Sequence, residues 1–344
     1  MDVQPSQELR QLIQKVSGGA TLTETEIRTA LELMTEGAAT PAQMGAFLMA
    51  LRVRGETVEE ITGAAQMMRA RMKRVEVAPG AVDIVGTGGD GTGTFNVSTC
   101  AALVAAGAGA RIAKHGNRSV SSLAGASDVL SALGVKLDVP FDVTSHCVAE
   151  AGVGFMWAPQ HHPAMKHWAP VRAELGIRTI FNLLGPISNP AGVQRQVVGV
   201  FSWQWVEPIA DVLKNLGCEH VWVVHGHDGL DELTTTGATD VAEVKDGKVT
   251  VFEVTPADAG LAPAKLSDLK GGDAKFNAAA IQEVLAGKKT PLRDIAILNA
   301  AAALIVAGLA ANLTDGAAMA AHSIESGAAK LALDRLVAIT NAAS

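Results

Sequence analysis

Cysteine, basic charge and long apolar runs are all in short supply in this chain of 344 residues, and each shortage closes off a class of protein. The three cysteines, Cys100, Cys147 and Cys218, stand far apart with no CxxC pair. That fits neither a disulfide framework nor a zinc site, points to a reducing compartment, and leaves the thiols as inert core residues. Lys and Arg total 28 against 35 Asp and Glu, a net charge of -7, and the isoelectric point is near 5.7. Gripping nucleic acid by its phosphates needs a cationic face, so that is not the main business, although a local basic pocket is still allowed. The most apolar segment, Ala300 to Ala311, is shorter than a bilayer span and is flanked by Asn299 and Asn312, so it reads as a buried helix. The first residues, MDVQPSQELR, are acidic and polar where a signal peptide carries a basic start and an apolar run. A cytoplasmic protein with no nucleic-acid or membrane partner is expected.

What the chain does have is apolar material for a sizeable core, 48% hydrophobic against 18% charged, enough for a large domain and a smaller one. From Gln7 to about Met72 the pattern is helical: Ile27, Ala30, Leu31 and Met34 fall at i, i+3, i+4, i+7, as do Met44, Phe47, Leu48 and Leu51. Thr23 with Glu26 and Thr57 with Glu60 have capping-box spacing, Pro41 suits a first helical turn and Gly37 a helix stop. About four helices in a small bundle are expected. After Gly80 the rhythm changes to short β-branched runs that end in glycine and lead into alanine-rich helices, the mark of a parallel sheet with crossover helices. AVDIVG, ARIAKHGN, QVVGVF and VWVVHG are four such strands, and KVTVFEV suggests a peripheral hairpin. The segment HHPAMKHWAPVRAELGIRTIFNLLGPISNP, closed by Pro186 and Pro190, looks like a helical excursion from the sheet. The fold class is therefore α/β: a small N-terminal helical bundle plus a large α/β domain with a mainly parallel central sheet flanked by helices. The expected boundaries are 1–76 for the small domain, joined in space by an excursion at about 168–188, with 77–167 and 189–344 forming the large domain.

In such a fold, ligands sit at the carboxyl ends of the strands, and that is where DIVGTGGDGTGTFNVST lies. Gly86, Gly88, Gly89, Gly91 and Gly93 expose bare amides just before a helix N-terminus, an arrangement suited to phosphate or pyrophosphate. The Rossmann fingerprint fits poorly, and Walker A is excluded because no Gly-Lys-Ser/Thr follows. A glycine run alone is equally a flexible surface loop. Asn96, Ser98 and Thr99 stand where the helix begins, to cap it or to hold phosphate oxygens or a phosphate-bound cation. KHGNR, Lys114 to Arg118, ends the next strand and brings positive charge, with Ser119, Ser121 and Ser122 behind it, a pattern that favours an anion pocket over solvated surface charge. HGHDGLDEL follows the fourth of the strands. Its adjacent Asp231 and Glu232 are either solvated loop charges or a Mg2+ site, and a phosphate cradle on the same sheet edge favours the second. His161, His162 and His167 lack metal-ligand spacing, and Mg2+ would not choose them.

Taken together, GTGGD at Gly86 to Asp90, FNVST at Phe95 to Thr99, KHGNR, the His- and Arg-rich excursion, the Asp231-Glu232 pair and QMGAFLMALRVRGETVEEI in the bundle closely resemble the anthranilate phosphoribosyltransferases. These belong to the nucleoside phosphorylase/phosphoribosyltransferase-like superfamily. The resemblance spans nearly the whole chain. It implies transfer of the 5-phosphoribosyl group of phosphoribosyl pyrophosphate (PRPP) to the amine of anthranilate in tryptophan biosynthesis, a Mg2+ requirement with two ions beside PRPP, and a homodimer joined through the helical domain. It also implies PRPP contacts at Gly86, Gly89, Asp90, Thr94, Asn96, Val97, Ser98 and Thr99, and again at Lys114, His115, Gly116, Asn117, Arg118, Ser119, Val120, Ser121, Ser122 and Ala126. Gly86, Asn117 and Arg172 match anthranilate-binding positions, and Ser98, Asp231 and Glu232 are similar to the Mg2+ ligands. No residue is implied as a certain general base; positioning and pyrophosphate stabilisation carry the catalysis.

One departure stands out. The family commonly has GSAD where this chain has GASD, Gly125 to Asp128, so the serine expected at 126 has moved to Ser127, about 100° around a helix. Ser121, Ser122, backbone or water is then expected to take over its phosphate contact. Two other readings compete. A nucleoside phosphorylase shares the glycine loop, but KHGNR and HHPAMKHWAPVR argue against it. A catalytically silent nucleic-acid binder is opposed by the acidic balance and the intact acid pair.

Overall fold

The computed structural model describes residues 7–118 and 123–343; Ser119, Val120, Ser121 and Ser122 lie outside the described residues. Four helices come first: α1 (Gln7–Ser17), α2 (Glu24–Thr35), α3 (Pro41–Arg54) and α4 (Val58–Arg71). The last three each open on a capping box, Thr23 with Glu26, Thr40 with Gln43 and Thr57 with Glu60, and Pro41 occupies the first turn of α3. Glu60 does more than cap. Its carboxylate is fully buried, accepts the Leu22 N–H at 2.8 Å and pairs with Arg54, so it ties α4 to α3 and to the α1-α2 turn.

The α/β unit follows as β1 (Val82–Gly86), α5 (Val97–Gly107), β2 (Ile112–Gly116), α6 (Ala126–Ala132), α7 (Phe141–Glu150) and β3 (Val153–Trp157). Next come the short helices α8 (Ala158–His161), α9 (Trp168–Leu175) and α10 (Ile180–Leu184), then β4 (Arg195–Gly199), α11 (Val206–Asn215), β5 (His220–Gly226), β6 (Thr239–Lys245) and β7 (Lys248–Val254). Four helices finish the described chain: α12 (Ala274–Leu285), α13 (Pro291–Val306), α14 (Leu313–Glu325) and α15 (Ala328–Ala342). The seven strands form one sheet in the order β3-β2-β1-β4-β5-β6-β7. The first five are parallel, and β6 and β7 are an antiparallel hairpin on the edge, turned at Asp246-Gly247 where both φ values are positive. The strand after Gly152, VGFMW, is not among the four parallel strands expected from the sequence, so the acid pair follows the fifth strand rather than the fourth.

Chain order runs outward from β1 to β2 and β3, then restarts at β4 on the other side of β1. The crevice above the β1-β4 pair is the topological switch point, where open α/β sheets place ligands. Gly86 and Gly199, the last residues of the two strands, are in register there.

Both faces of the parallel part of the sheet are buried against helices, while β7 at the edge is largely exposed. Val82, Ile84 and Ile112 share a core with α5, α13, α14 and α15. Val85, Val198, Val221 and Val223 share the other with the bundle and with the excursion residues Trp168, Val171, Ile180 and Phe181. Trp168 is fully buried and its indole N–H donates to Thr35 Oγ1 at 3.0 Å, which fastens the excursion to α2. The Ala300–Ala311 run lies largely inside α13, and no helix among the described residues is long and apolar enough to cross a membrane.

Candidate active site

At the switch point the glycines have two different jobs. Gly88 and Gly89 hold φ values of +67° and +76°, so the loop after β1 turns in a conformation that side chains resist. Gly86 and Gly199 instead make room. A Cβ on Gly86 would fall 2.4 Å from Asp231 Oδ2, and one on Gly199 would fall 1.6 Å from the Asp231 carbonyl oxygen. The acid-bearing loop is therefore pressed onto the ends of β1 and β4. Asn299, buried in α13, holds it from behind, accepting the Leu233 N–H at 3.0 Å and donating to the Leu233 carbonyl at 2.8 Å.

Asp231 Oδ2 accepts the Gly88 N–H at 2.6 Å, and Glu232 Oε1 accepts the Ser98 N–H at 3.2 Å. Residues separated by more than a hundred positions thus meet, one acid addressing the glycine loop and the other the start of α5. Burial pushes the Asp231 carboxyl up, and Asp90 adds to the shift. Burial likewise raises Glu232, with Asp231 as the next cause. Asp90 shapes the loop itself, its carboxylate accepting the Thr92 hydroxyl at 2.6 Å. Thr94 is fixed through its backbone, bridged to Lys270, whose ammonium also donates to the Thr92 carbonyl.

Lys114 lies beneath this assembly. Only 3% exposed, its Nζ donates to the Ile84 carbonyl at 2.5 Å and to Ser98 Oγ at 3.2 Å. Burial lowers its pKa, while Asp83, Glu232 and Asp231 oppose that shift. Asp83, raised to about 6 chiefly by burial, accepts the His115 N–H at 3.1 Å and the Asn189 side-chain amide at 2.7 Å. Strand alternation sends His115 to the opposite face, where its ring meets the Gly185 carbonyl and His162. Burial, then His162 and His161, hold it well below the usual histidine range. Its imidazole is turned toward the excursion and away from Lys114.

The remaining expected residues are placed as follows. Asn96 precedes α5 without capping it by side chain; its amide instead accepts from Asn277 at 2.9 Å and donates to the Ala124 carbonyl at 3.2 Å. Val97 is core, and Thr99 Oγ1 is buried without a partner among the described residues. Gly116 leaves space for the Phe155 ring, which a Cβ would approach to 2.8 Å. Asn117 Oδ1 accepts the Arg118 N–H. Arg118 is on the rim, its side chain 71% exposed and 3.6 Å from Asp128, with its guanidinium over Trp157. Ala126 opens α6, and Ser127 is fully buried, its Oγ without a hydrogen-bond partner among the described residues. Arg172 on α9 lies 5.4 Å from the Phe181 ring, is lowered by burial, and has no carboxylate partner among the described residues.

Sequence reasoning missed Arg178, Lys270, Asn277 and Asn299. Arg178 was signalled only by its place in GIRTIFN; the others were fixed by contacts that no local pattern reveals. The three cysteines are buried, and burial pushes the Cys100 thiol up to about 12 and Cys147 up to about 11.

A family model described as glycosyl transferase family, helical bundle domain, matches residues 10–72, and one described as glycosyl transferase family, a/b domain, matches residues 78–330. The anthranilate phosphoribosyltransferase of Rhodopseudomonas palustris (strain BisA53) is 61% identical over 336 residues, 98% of this chain and 99% of its own. The chain belongs to the anthranilate phosphoribosyltransferase family. Among solved members, the Thermus thermophilus enzyme is 44% identical with a TM-score of 0.91, over 96% of this chain and 99% of that one. The Saccharomyces cerevisiae enzyme, solved with PRPP and Mg, is 30% identical with a TM-score of 0.89, over 97% and 98%. The yeast enzyme has also been solved with 4-fluoroanthranilate, at 30% identity, a TM-score of 0.87 and coverage of 97% and 98%.

Proposed function

We infer that this protein transfers the 5-phosphoribosyl group of PRPP to the amine of anthranilate, giving N-(5-phosphoribosyl)anthranilate and pyrophosphate in tryptophan biosynthesis. The observation that carries the reading is the meeting of the glycine loop, the start of α5 and the Asp231-Glu232 pair at the switch point. A polyanion with a leaving pyrophosphate needs amides, a helix N-terminus and a cation held close together.

The donor set fits Mg2+. Asp231, Glu232 and the Ser98 hydroxyl are all oxygen ligands, and the two neighbouring acids are withdrawn from water with Asp90 close by, so that Lys114, shared with Asp83, offsets only part of their charge and a divalent ion would supply the rest. When bound, the metal supplies positive charge to the departing pyrophosphate. Two ions suit the geometry, because the acids face different places, Asp231 the glycine loop and Glu232 the helix start.

The chain's own residues do the rest. Loop amides and the N-terminus of α5 bind phosphate oxygens, with Arg118 at the rim and Lys114 orienting Ser98 from below. As C1–O cleaves, positive charge grows on the ribose, as in glycoside chemistry. The aromatic amine is already unprotonated near neutral pH, so holding it in line suffices. Arg172 offers paired donors to the anthranilate carboxylate, with Asn117 and Gly86 completing that site. The contacts of Ser119, Val120, Ser121, Ser122 and Ala126 belong to the same reading.

The division into a smaller unit, 1–76 with an excursion at about 168–188, belongs to the same reading; Trp168 and Phe181 pack with the bundle, in a core that also takes in Val85 and Val198 of the sheet. A homodimer through this unit belongs to the same reading. The acidic charge balance and free buried thiols favour the cytoplasm. The test is to mix purified protein with anthranilate, PRPP and Mg2+ and follow anthranilate fluorescence. Loss that depends on every component is expected; no such loss overturns the reading.

A further inference from the structure

Most cations near the switch point already have work. Lys114 is enclosed by Asp83, Asp231 and Glu232 and donates to the Ile84 carbonyl. Lys270 holds the Thr92 carbonyl, and Arg118 leans on Asp128 and Trp157 at the rim. Arg178 differs. It lies in the turn between α9 and α10, half-buried, and no ion pair or hydrogen bond engages its guanidinium among the described residues. What holds it is the ring of Phe201, 4.4 Å from the guanidinium carbon, just past the end of β4. Its other neighbour is the glycine loop: a Cβ on Gly89 would come 3.2 Å from Arg178 Nε and 3.3 Å from Nη2. The absence of a side chain at Gly89 therefore lets a positive charge lie against the loop, one residue from the amide that Asp231 holds.

We propose that Arg178 is a further binding residue for PRPP, contacting its pyrophosphate above the glycine loop. The location selects pyrophosphate over the other phosphate. Arg178 adjoins Gly89 and so neighbours the Gly88-Asp231 contact, where the leaving group and its metal belong on the functional reading above, on which this proposal rests. A guanidinium stacked on an aromatic ring keeps its edge donors free and pre-oriented for paired phosphate oxygens. It also joins two parts of the fold, since the excursion that carries Arg172 would supply a cation to the donor substrate as well.

The test uses Arg178→Ala and Arg178→Lys in the full chain, with thermal melts to show that each is folded. Mg2+-pyrophosphate itself is titrated by calorimetry, and KM is measured separately for PRPP and anthranilate. Loss of a charge-assisted contact should weaken pyrophosphate binding and raise the PRPP KM by about tenfold or more in Arg178→Ala, with the anthranilate KM within about twofold of wild type. Arg178→Lys should fall between, because it keeps charge but not the planar fork. Unchanged pyrophosphate affinity overturns the proposal, as does a rise confined to the anthranilate KM. If Arg178→Ala does not fold, the Lys variant alone decides by the same readings. Failure of the functional reading would show differently, as wild-type protein that consumes no anthranilate.

Discussion

Asp231 takes its position from two residues that contribute no side chain at all. Gly199 is the sharper case, because a methyl group there would overlap the Asp231 carbonyl and force the acid loop off the sheet. Gly199→Ala should lower kcat on the order of a hundredfold, the usual cost of displacing a positioning group by about an ångström; steady-state kinetics on folded variant checks it. Arg172 makes the opposite kind of prediction, since its guanidinium has no carboxylate partner among the described residues and, on the proposed function, would take one on the substrate. Arg172→Ala should raise the anthranilate KM by about 10- to 100-fold with a smaller effect on PRPP. Equal KM values in mutant and wild type would remove the assignment. At the shifted serine, Ala126→Ser should tighten PRPP if a contact is missing there, read by titration of PRPP with Mg2+.

Among the elements, the capped helices of the bundle and four of the parallel strands were legible, because capping boxes and β-branched runs ending in glycine are local signals. The strand β3 was not. VGFMW has one β-branched residue and a glycine within it, and it runs directly into a proline-containing helix, so neither its propensity nor its boundaries stand out. The acid pair was legible as chemistry, but its clamp was not, since Asn299 reaches Leu233 across 66 residues. Arg178 against Gly89 was hidden for the same reason, as was the burial of Lys114, which sequence reasoning takes for a charge facing the anion. Two tests belong here. Asn299→Ala should cost about 2 kcal/mol by leaving the Leu233 amide and carbonyl unpaired, visible in chemical denaturation together with a higher Mg2+ requirement. Glu60→Ala leaves Arg54 without its carboxylate partner and the Leu22 amide without its acceptor, and should cost about 3–5 kcal/mol by the same measurement.

Across the whole molecule, one sheet carries its two large cores on its faces and gathers the chemistry at the carboxyl ends of its inner strands, so acids from the β5 end meet loops from β1. That gathering has a pH signature. With the Asp231 and Glu232 carboxyls raised, mainly by burial, the folded metal-free state holds protons that the unfolded state has already released. Stability from these groups therefore falls as pH climbs from the ordinary carboxyl range through the raised values. Mg2+ should restore it, and the rise in melting temperature on adding Mg2+ should be larger at pH 8 than at pH 6; an equal rise would contradict the charge account. The Gly88 and Ser98 amides, which would face phosphate oxygens, are meanwhile occupied by the protein's own carboxylates. On the proposed function the chain would carry a built-in competitor for its donor substrate, and drawing those acids toward a metal ion would vacate the amides, so the site would tell metal-loaded PRPP from the bare anion before any chemistry begins.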